Sequence, residues 1–485
     1  MTEVFINGRK YQAQPGQTIL ELARLNGEKI ESPCNGNGTC GKCKAIVDGE
    51  TVLACMYRID KPIDIKILSK ESENKSIRIL RAGVSAPVDL KPSFDTGYGV
   101  VVDIGTTTLV VSLIDLKSGK EIGTDSCINP QTAIAQDVLS RISFASEPGG
   151  LKTLQDQIVG AMREIIGNLA KAACLHPTLI REAVYSGNTA MLHLACGADP
   201  ESLGKYPYNL NLECGRSIPA DNLGISGNLY LPPVISAFVG ADITAGILAS
   251  RLYEQKLTTL FIDIGTNGEM VIAKDGELAA TSTAAGPAFE GMNIDCGMRA
   301  ANGAIEKFKF EEIGSFTYQV IGGTTPVGIC GSGLLDIVAE LVRTKRVGKS
   351  GRFANKKKQF DITDKVRLTQ SDIRQVQLAK GAIRSGIDAL LKALDVGLQD
   401  VQRVEIAGSF GYHLSEKSLL NIKLLPQEFA GKIHFVGNTA IEGGIAFLLN
   451  TDVREVMADV AAKVKRIELA NDASFQEAFV GALNF

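Results

Sequence analysis

Four cysteines near the start of the chain, Cys34, Cys40, Cys43 and Cys55, have the spacing C-x5-C-x2-C-x11-C, and the first three share one loop, CNGNGTCGKC. Thiolates at that density bind metal. Gly36, Gly38 and Gly41 let the backbone curl with its N–H groups turned inward at sulfur, and a fourth ligand comes from the strand that follows. The set suits an iron–sulfur cluster. A tetrahedral zinc is the alternative, although structural zinc sites pair two C-x2-C knuckles and this chain has one. The loop also matches G-x-G-x-x-G from Gly36 to Gly41 and, with Cys43 in place of the Mg2+ ligand, a P-loop. Neither match follows a buried strand or opens a helix, so neither supplies the amides and dipole that a phosphate needs.

A second chemistry appears twice. GVVVDIGT around Asp103 and TLFIDIGT around Asp263 each lead into another apolar strand, with 160 residues between the aspartates. A Gly-Thr hairpin tip exposes backbone amides and a hydroxyl to a phosphate oxygen, and an aspartate at the strand end can hold Mg2+ through its waters. Two such tips facing each other would grip a triphosphate such as ATP from both sides. Further Gly-rich turns follow in order: Ser186-Gly187-Asn188-Thr189, Gly240 to Gly246 around Asp242, Ala284 to Gly291 around Gly286, Cys330-Gly331-Ser332-Gly333, Gly408-Ser409-Phe410-Gly411 and Gly437 to Gly444.

The elements that must position these residues can be read from periodicity. Val4 to Ile6, an Asn7-Gly8 turn and Lys10 to Ala13 predict a hairpin; Thr18 to Asn26 predicts a short helix with Ile19, Leu22, Ala23 and Leu25 inward. KAIV, TVLAC and IDIKIL are short strands with turns between them. Residues 70–97 are polar and bear Pro and Gly, which fits a linker. From Tyr98 onward apolar strands alternate with helices, among them Leu154 to Cys174 with Leu154, Ile158, Met162, Ile165 and Leu169 on one face. The duplicated strand–DIGT–strand unit is too widely spaced for a solenoid and predicts two lobes with a cleft between them. The division is 1–72, a linker at 73–97, a first lobe at 98–250 and a second at 251–485.

Composition narrows the class. With 51 Lys+Arg against 54 Asp+Glu, no Trp and 6% aromatics, the chain offers neither the charge nor the stacking platforms of a nucleic-acid binder. No apolar run reaches the ~18 residues of a membrane span, and MTEVFINGRKYQ is not a signal peptide, so no membrane and a cytoplasmic location are expected. Ten cysteines in 485 residues are too few for a disulfide scaffold. The six outside the cluster set (Cys127, Cys174, Cys196, Cys214, Cys296 and Cys330) share no spacing and read as small buried residues. Lys356 to Lys358 reads as a solvated loop.

The hairpin, helix and cysteine loop over residues 1 to about 70 resemble a [2Fe–2S] ferredoxin of the β-grasp kind. The order of turns over about 98–450 resembles the ATPase superfamily of actin, hexokinase and the heat-shock chaperones. The fold expected is therefore an α+β β-grasp ferredoxin-like domain followed by a two-lobed α/β ATPase with duplicated actin-like, ribonuclease-H-like halves. That resemblance implies roles. Asp103 and Asp263 would orient Mg2+, while Gly105, Thr106, Thr107, Asn188, Gly265, Thr266, Asn267, Gly268 and Gly286 would surround the phosphates. Gly331 and Ser332 would touch nucleotide, Gly408 and Ser409 would border the adenosine, and Asp242 and Glu269 would position the attacking water.

In combination, CNGNGTCGKC, VVDIGTTT, SGNTAM, FIDIGTNGE, AAGPAFEGMNI, GICGSGLLD and EIAGSFGYHL resemble the reductive activators of corrinoid proteins. The resemblance implies ATP-dependent transfer of one electron from the [2Fe–2S] cluster to Co(II) of a corrinoid methyltransferase protein, regenerating Co(I) for methyl transfer. It also implies a low-potential donor such as a reduced ferredoxin or flavoprotein, and a homodimer. Two alternatives remain at this point: an activator of a radical dehydratase, marked by a [4Fe–4S] cluster, and a small-molecule kinase with an accessory ferredoxin domain, marked by phosphoryl transfer to an acceptor other than water.

Overall fold

In the computed structural model the described residues are 1–485 apart from 29, 31, 33–35, 37, 39–42, 69–82, 84–88, 312–313, 409–413 and 471. Asn7 and Gly8 both take positive φ, 51° and 81°, the turn whose twist matches a tight hairpin. It joins β1 (Thr2–Ile6) to β2 (Arg9–Ala13). Thr18 then starts α1 (Ile19–Leu25) with a capping box: its hydroxyl accepts from the Glu21 N–H at 3.2 Å, and the Glu21 carboxylate accepts from the Thr18 N–H at 2.7 Å. Ile19, Leu20, Leu22 and Ala23 are buried, whereas Leu25, expected inward, is 75% exposed. At about 100° per residue position 25 falls opposite the 19–20–22–23 stripe, so Leu20 fills the face instead. β3 (Lys44–Val47), β4 (Glu50–Leu53) and β5 (Ile63–Ile67) complete a sheet in the order β2-β1-β5-β3-β4. Among the described residues its core holds none beyond Ile67.

The first lobe starts with the antiparallel meander β6 (Tyr98–Ile104), β7 (Thr108–Asp115) and β8 (Glu121–Ile128). There follow α2 (Val138–Ala145), α3 (Gly150–Ala172), β9 (Ile180–Gly187), α4 (Thr189–Cys196), β10 (Arg216–Pro219) and β11 (Asn228–Leu231). The sheet runs β10-β11-β9-β6-β7-β8, and all five residues of the expected α3 stripe are buried against it. Helix α5 (Ala241–Ala249) leads out of this lobe.

The second lobe repeats the meander as β12 (Thr259–Ile264), β13 (Gly268–Lys274) and β14 (Glu277–Thr283). A small sheet of β15 (Ala304–Phe310), β16 (Phe316–Val320) and β17 (Gly328–Ile329) precedes α6 (Gly331–Arg343). A hairpin, β18 (Gln359–Asp361) and β19 (Arg367–Thr369), leads into α7 (Gln370–Ala393). Then come β20 (Arg403–Ala407), α8 (Glu416–Asn421), β21 (Ile433–Gly437), α9 (Thr439–Leu449), α10 (Asp452–Lys463), β22 (Lys465–Arg466) and α11 (Ala473–Ala482). The main sheet runs β21-β20-β12-β13-β14-β22. In both lobes a parallel strand, β9 or β20, pairs with the first strand of the meander.

Between the two sheets lie α5 and α9. A Cβ on Gly443 would stand 2.0 Å from the Ala245 carbonyl oxygen, so the two helices touch backbone to backbone. One shared core takes Val101 and Val110 from the first sheet, Phe261 and Val271 from the second, and Ile243, Ile441 and Phe447 from the helices. The segment read as a linker also packs here. The Gly83 N–H donates to the Glu442 carboxylate at 3.0 Å near the start of α9, and the Lys91 N–H donates to the Leu449 carbonyl at 2.7 Å at its end.

Of the six remaining cysteines Cys330 is buried, four are half-buried and Cys174 is exposed, contrary to expectation. Cys174 follows the end of α3 in a left-handed turn, φ 56°, which carries it out of the buried stripe. Lys356, Lys357 and Lys358 are exposed, as expected. Among the described residues no helix is long and apolar enough to cross a membrane.

Candidate nucleotide and cluster sites

The two DIGT turns face each other across one cleft between the lobes. Its walls include Asp103, Gly105, Thr106, Thr107 and Asn188 from the first lobe, Asp242 from α5, and Asp263, Gly265, Thr266, Asn267, Glu269, Gly331, Ser332 and Gly408 from the second. Two residues expected there lie outside it. Gly268 opens β13 and backs onto Ile383, where a Cβ would meet the side chain at 2.9 Å. Gly286, φ 76°, precedes the 3-10 turn Pro287–Glu290, and it is Glu290 that reaches the cleft. Ser409 lies outside the described residues.

The first turn is held from behind by its carbonyls. Asn129 donates its side-chain amide to Gly105 O at 2.8 Å and its N–H to Thr107 O at 2.9 Å, while Arg141 donates to Thr106 O. Arg141 is fully buried, and its guanidinium also donates to Ala135 O and Gln131 Oε1, both at 3.0 Å. Burial pulls it down to about 9, against the opposing pull of Asp137 and Glu290, so at neutral pH a cation stands behind the first DIGT turn. Asn188 donates to the Thr106 hydroxyl at 3.2 Å while capping α4 through the Met191 N–H at 3.0 Å.

In the second lobe Asp263 stands opposite Glu269 across the β12–β13 pair, whereas Asp103 stands opposite Val110. Gly408 takes φ +96°, and a Cβ there would lie 2.5 Å from the Asp263 carboxylate, so only glycine lets the β20 turn come this close. Asp103 is fixed by Asn438, which donates to it at 2.8 Å and caps α9 through the Ile441 N–H at 3.0 Å.

The carboxylates are set against one another. Burial raises Asp103 to about 6, with the Asn438 bond opposing; burial and then the charge of Asp103 raise Asp242 to about 7. Burial, Asp242 and Asp103 raise Asp263 to about 8, and Glu269 is raised by burial, Asp242 and Asp263. All four offer hard oxygen donors, which fits Mg2+ held by one or two carboxylates, waters and phosphate oxygens. Because these folded-state values lie above the ordinary 3.8, the nucleotide-free protein binds extra protons and its stability falls as pH rises from about 4 through about 8. Mg2+-ADP should therefore raise the melting temperature more at about pH 8.5 than at about pH 5.5. Equal shifts in a thermal-melt series would contradict the carboxylate assignment.

The cluster assignment falls partly on described residues. Cys43 and Cys55 are buried with their sulfurs 3.3 Å apart, close to the ~3.7 Å between two thiolates on one tetrahedral metal. Gly36, φ +87°, would with a Cβ press on Leu20 at 3.3 Å; Gly38, φ +74°, would strike Met56 at 2.9 Å. Gly36 thus packs onto α1, and Gly38 onto the residue that follows Cys55. Cys34 and Cys40 lie outside the described residues.

The sequence reading gave no role to Glu290, Arg299 and Asn438 in the cleft wall, nor to Asn129 and Arg141 behind the first turn. A signal existed for Asn438, since Gly187-Asn-Thr-Ala190 is repeated as Gly437-Asn-Thr-Ala440. Glu290 sits in the Gly-rich turn Ala284 to Gly291, where only Gly286 was singled out, and for Asn129 and Arg141 there was no local signal.

Residues 4–64 match the family model described as "2Fe-2S iron-sulfur cluster binding domain", which decides between iron–sulfur and zinc. Residues 98–255 match "RACo middle region", and 257–485 match "C-terminal domain of RACo the ASKHA domain". The chain is 34% identical over 416 residues to the "Corrinoid activation enzyme RamQ" of Eubacterium limosum, covering 79% of this chain and 69% of that protein. It is 22% identical over 427 residues to the "[Co(II) methylated amine-specific corrinoid protein] reductase" of Methanosarcina barkeri, covering 80% and 77%. A solved structure, "Reductive activator for corrinoid,iron-sulfur protein", superposes with a TM-score of 0.75 at 28% identity, covering 100% of this chain and 98% of that one.

Proposed function

This chain belongs to the family of reductive activators of corrinoid proteins, and from that premise we propose that it uses ATP to return a corrinoid methyltransferase protein from Co(II) to Co(I) by one electron. The observation that carries the reading is the presence, in one chain, of a buried cysteine pair on a ferredoxin frame and of two threonine turns facing each other across one cleft. When bound by Cys34, Cys40, Cys43 and Cys55, a [2Fe–2S] cluster supplies a one-electron carrier. For one electron, about 100 mV uphill costs about 2.3 kcal/mol, well within what ATP hydrolysis releases.

We assign the residues as follows. The amides and hydroxyls of Gly105 to Thr107 and Gly265 to Asn267 take the β- and γ-phosphates, with Arg141 behind the first turn. Asp103 and Asp263 orient the Mg2+ ion, whose charge would relieve their mutual repulsion. Asp242 and Glu269 position water. Because α5 and α9 touch backbone to backbone, drawing the turns together pivots one lobe on the other instead of compressing the core. Arg24 of α1 donates to Ile134 O at 3.0 Å, in the segment where Asn129 holds the first turn's carbonyls and Ala135 O accepts from Arg141, itself bonded to Thr106 O. Nucleotide occupancy is thereby linked to how the ferredoxin unit sits. The division at 72, 97 and 250, a homodimer, a cytoplasmic location and a reduced ferredoxin or flavoprotein as donor complete the proposal.

The test is to mix the protein with a Co(II) corrinoid carrier, reductant and ATP and to follow the Co(I) absorbance. Co(I) should accumulate only with ATP; an equal rate without nucleotide would refute the proposal.

A further inference from the structure

Glu290 has no part in that assignment, yet it lines the cleft between the two DIGT turns. Its Oε1 accepts from the Thr266 hydroxyl at 2.7 Å and its Oε2 accepts from the Thr107 hydroxyl, so one carboxylate takes a donor from each lobe. The two hydroxyls stand 3.5 Å apart. Two oxygens on one centre, each held by a threonine from an opposing phosphate turn, is also the arrangement that a terminal phosphoryl group would find there. Each hydroxyl has a single hydrogen to give, so carboxylate and phosphoryl cannot both hold the pair.

We propose that Glu290 is an internal anion that fills the γ-phosphoryl position of the empty cleft, and that its displacement is what lets this protein tell a nucleoside triphosphate from a diphosphate. A diphosphate that leaves the γ position empty leaves Glu290 in place. A triphosphate must take over both hydroxyls and expel it.

The expelled carboxylate is tied to a stiff segment. Gly291, φ +79°, would with a Cβ lie 2.3 Å from Met298 O, and Gly297 would lie 2.1 Å from Gly291 O, so the two ends of this loop touch. Met298 donates its N–H to Ile329 O at 2.9 Å, and the Ile329 N–H donates to Cys296 O at 2.8 Å. Ile329 precedes Cys330, the N-cap of α6, whose Gly331 and Ser332 line the same cleft. Release of Glu290 therefore pulls on the wall that the nucleotide leans against, which gives the γ-phosphoryl group a mechanical readout in the second lobe.

The proposal rests on the ATP-site reading, and the experiment separates the two. The full-length protein with its cluster, and its Glu290→Ala and Glu290→Gln variants, are titrated calorimetrically in Mg2+ with ADP and with the β,γ-imido analogue of ATP. Removing a competing charge-assisted acceptor should raise the preference for the triphosphate analogue over ADP by about tenfold in Glu290→Ala. Glu290→Gln, which keeps one acceptor and loses the charge, should show a smaller rise, with ADP affinity unchanged in both. If ADP still binds and the preference is unchanged or lower in the variants, the internal-anion role is wrong, and a lower value points to Glu290 as a ligand of the Mg2+-nucleotide. If Glu290→Ala loses ADP binding through misfolding, Glu290→Gln decides alone. Wild-type protein that binds neither nucleotide would instead overturn the ATP reading.

Discussion

Asp263→Asn should abolish ATP-coupled cobalt reduction while leaving the iron–sulfur unit untouched. The substitution keeps the shape of a side chain that Gly408 approaches so closely that a Cβ there would come within 2.5 Å, so the turn survives. What disappears is charge. Asp263 faces Glu269 across the strand pair, whereas its counterpart Asp103 faces Val110, so the second lobe carries the denser half of the carboxylate set. With the role proposed for Asp263 in orienting Mg2+ and phosphate, losing its charge should lower the reduction rate at least about a hundredfold. The same change should stabilise the nucleotide-free protein near neutral pH, because burial and the charges of Asp242 and Asp103 push Asp263 up to about 8, so folding costs the uptake of a proton that an amide does not need. Melting temperature up, Co(I) formation gone and visible absorbance unchanged is a combination that general misfolding cannot produce. Wild-type turnover in this variant would remove Asp263 from the site.

The sequence made some of this legible and hid the rest for identifiable reasons. The two DIGT turns could be read because each sits between apolar strands, and because a duplication written in local sequence stays local in the fold. The α3 stripe could be read because 23 residues from Gly150 to Ala172 give several turns over which a helical period is unambiguous. Over the seven residues of α1 it was not, and Leu25 was placed on the wrong side. The residues that complete the cleft meet across the chain: Asn438 reaches Asp103 over 335 positions, and Glu290 reaches Thr107 over 183. No local pattern encodes such contacts. Asn438 was recoverable only through the GNTA repeat, since both copies cap a helix and both side chains reach back to the first DIGT turn. Arg141 was the least visible, because a buried arginine bonded to carbonyls looks, in sequence, like any charged residue on a surface helix.

Cys55→Ser is the converse experiment, and its outcome bears on whether the two halves of the molecule can be separated. The hydroxyl is smaller and harder than the thiolate and does not replace a soft ligand to iron, so visible absorbance and bound iron should fall sharply and electron delivery should stop. The Cys43 sulfur, 3.3 Å away and buried, would lose its neighbour, and the local core around Leu20, Ala54 and Ile59 would take up a polar group. Among the described residues that core runs no further than Ile67, and Arg24, which contacts Ile134 of the first lobe, is not one of its members. Nucleotide binding by calorimetry should therefore persist in a protein that can no longer pass an electron. Unchanged iron and absorbance would refute Cys55 as a ligand. Loss of ADP binding along with the colour would instead mean that the ferredoxin unit must be intact for the cleft to form, and that the link from α1 through Ile134 to the first phosphate turn carries structure in both directions.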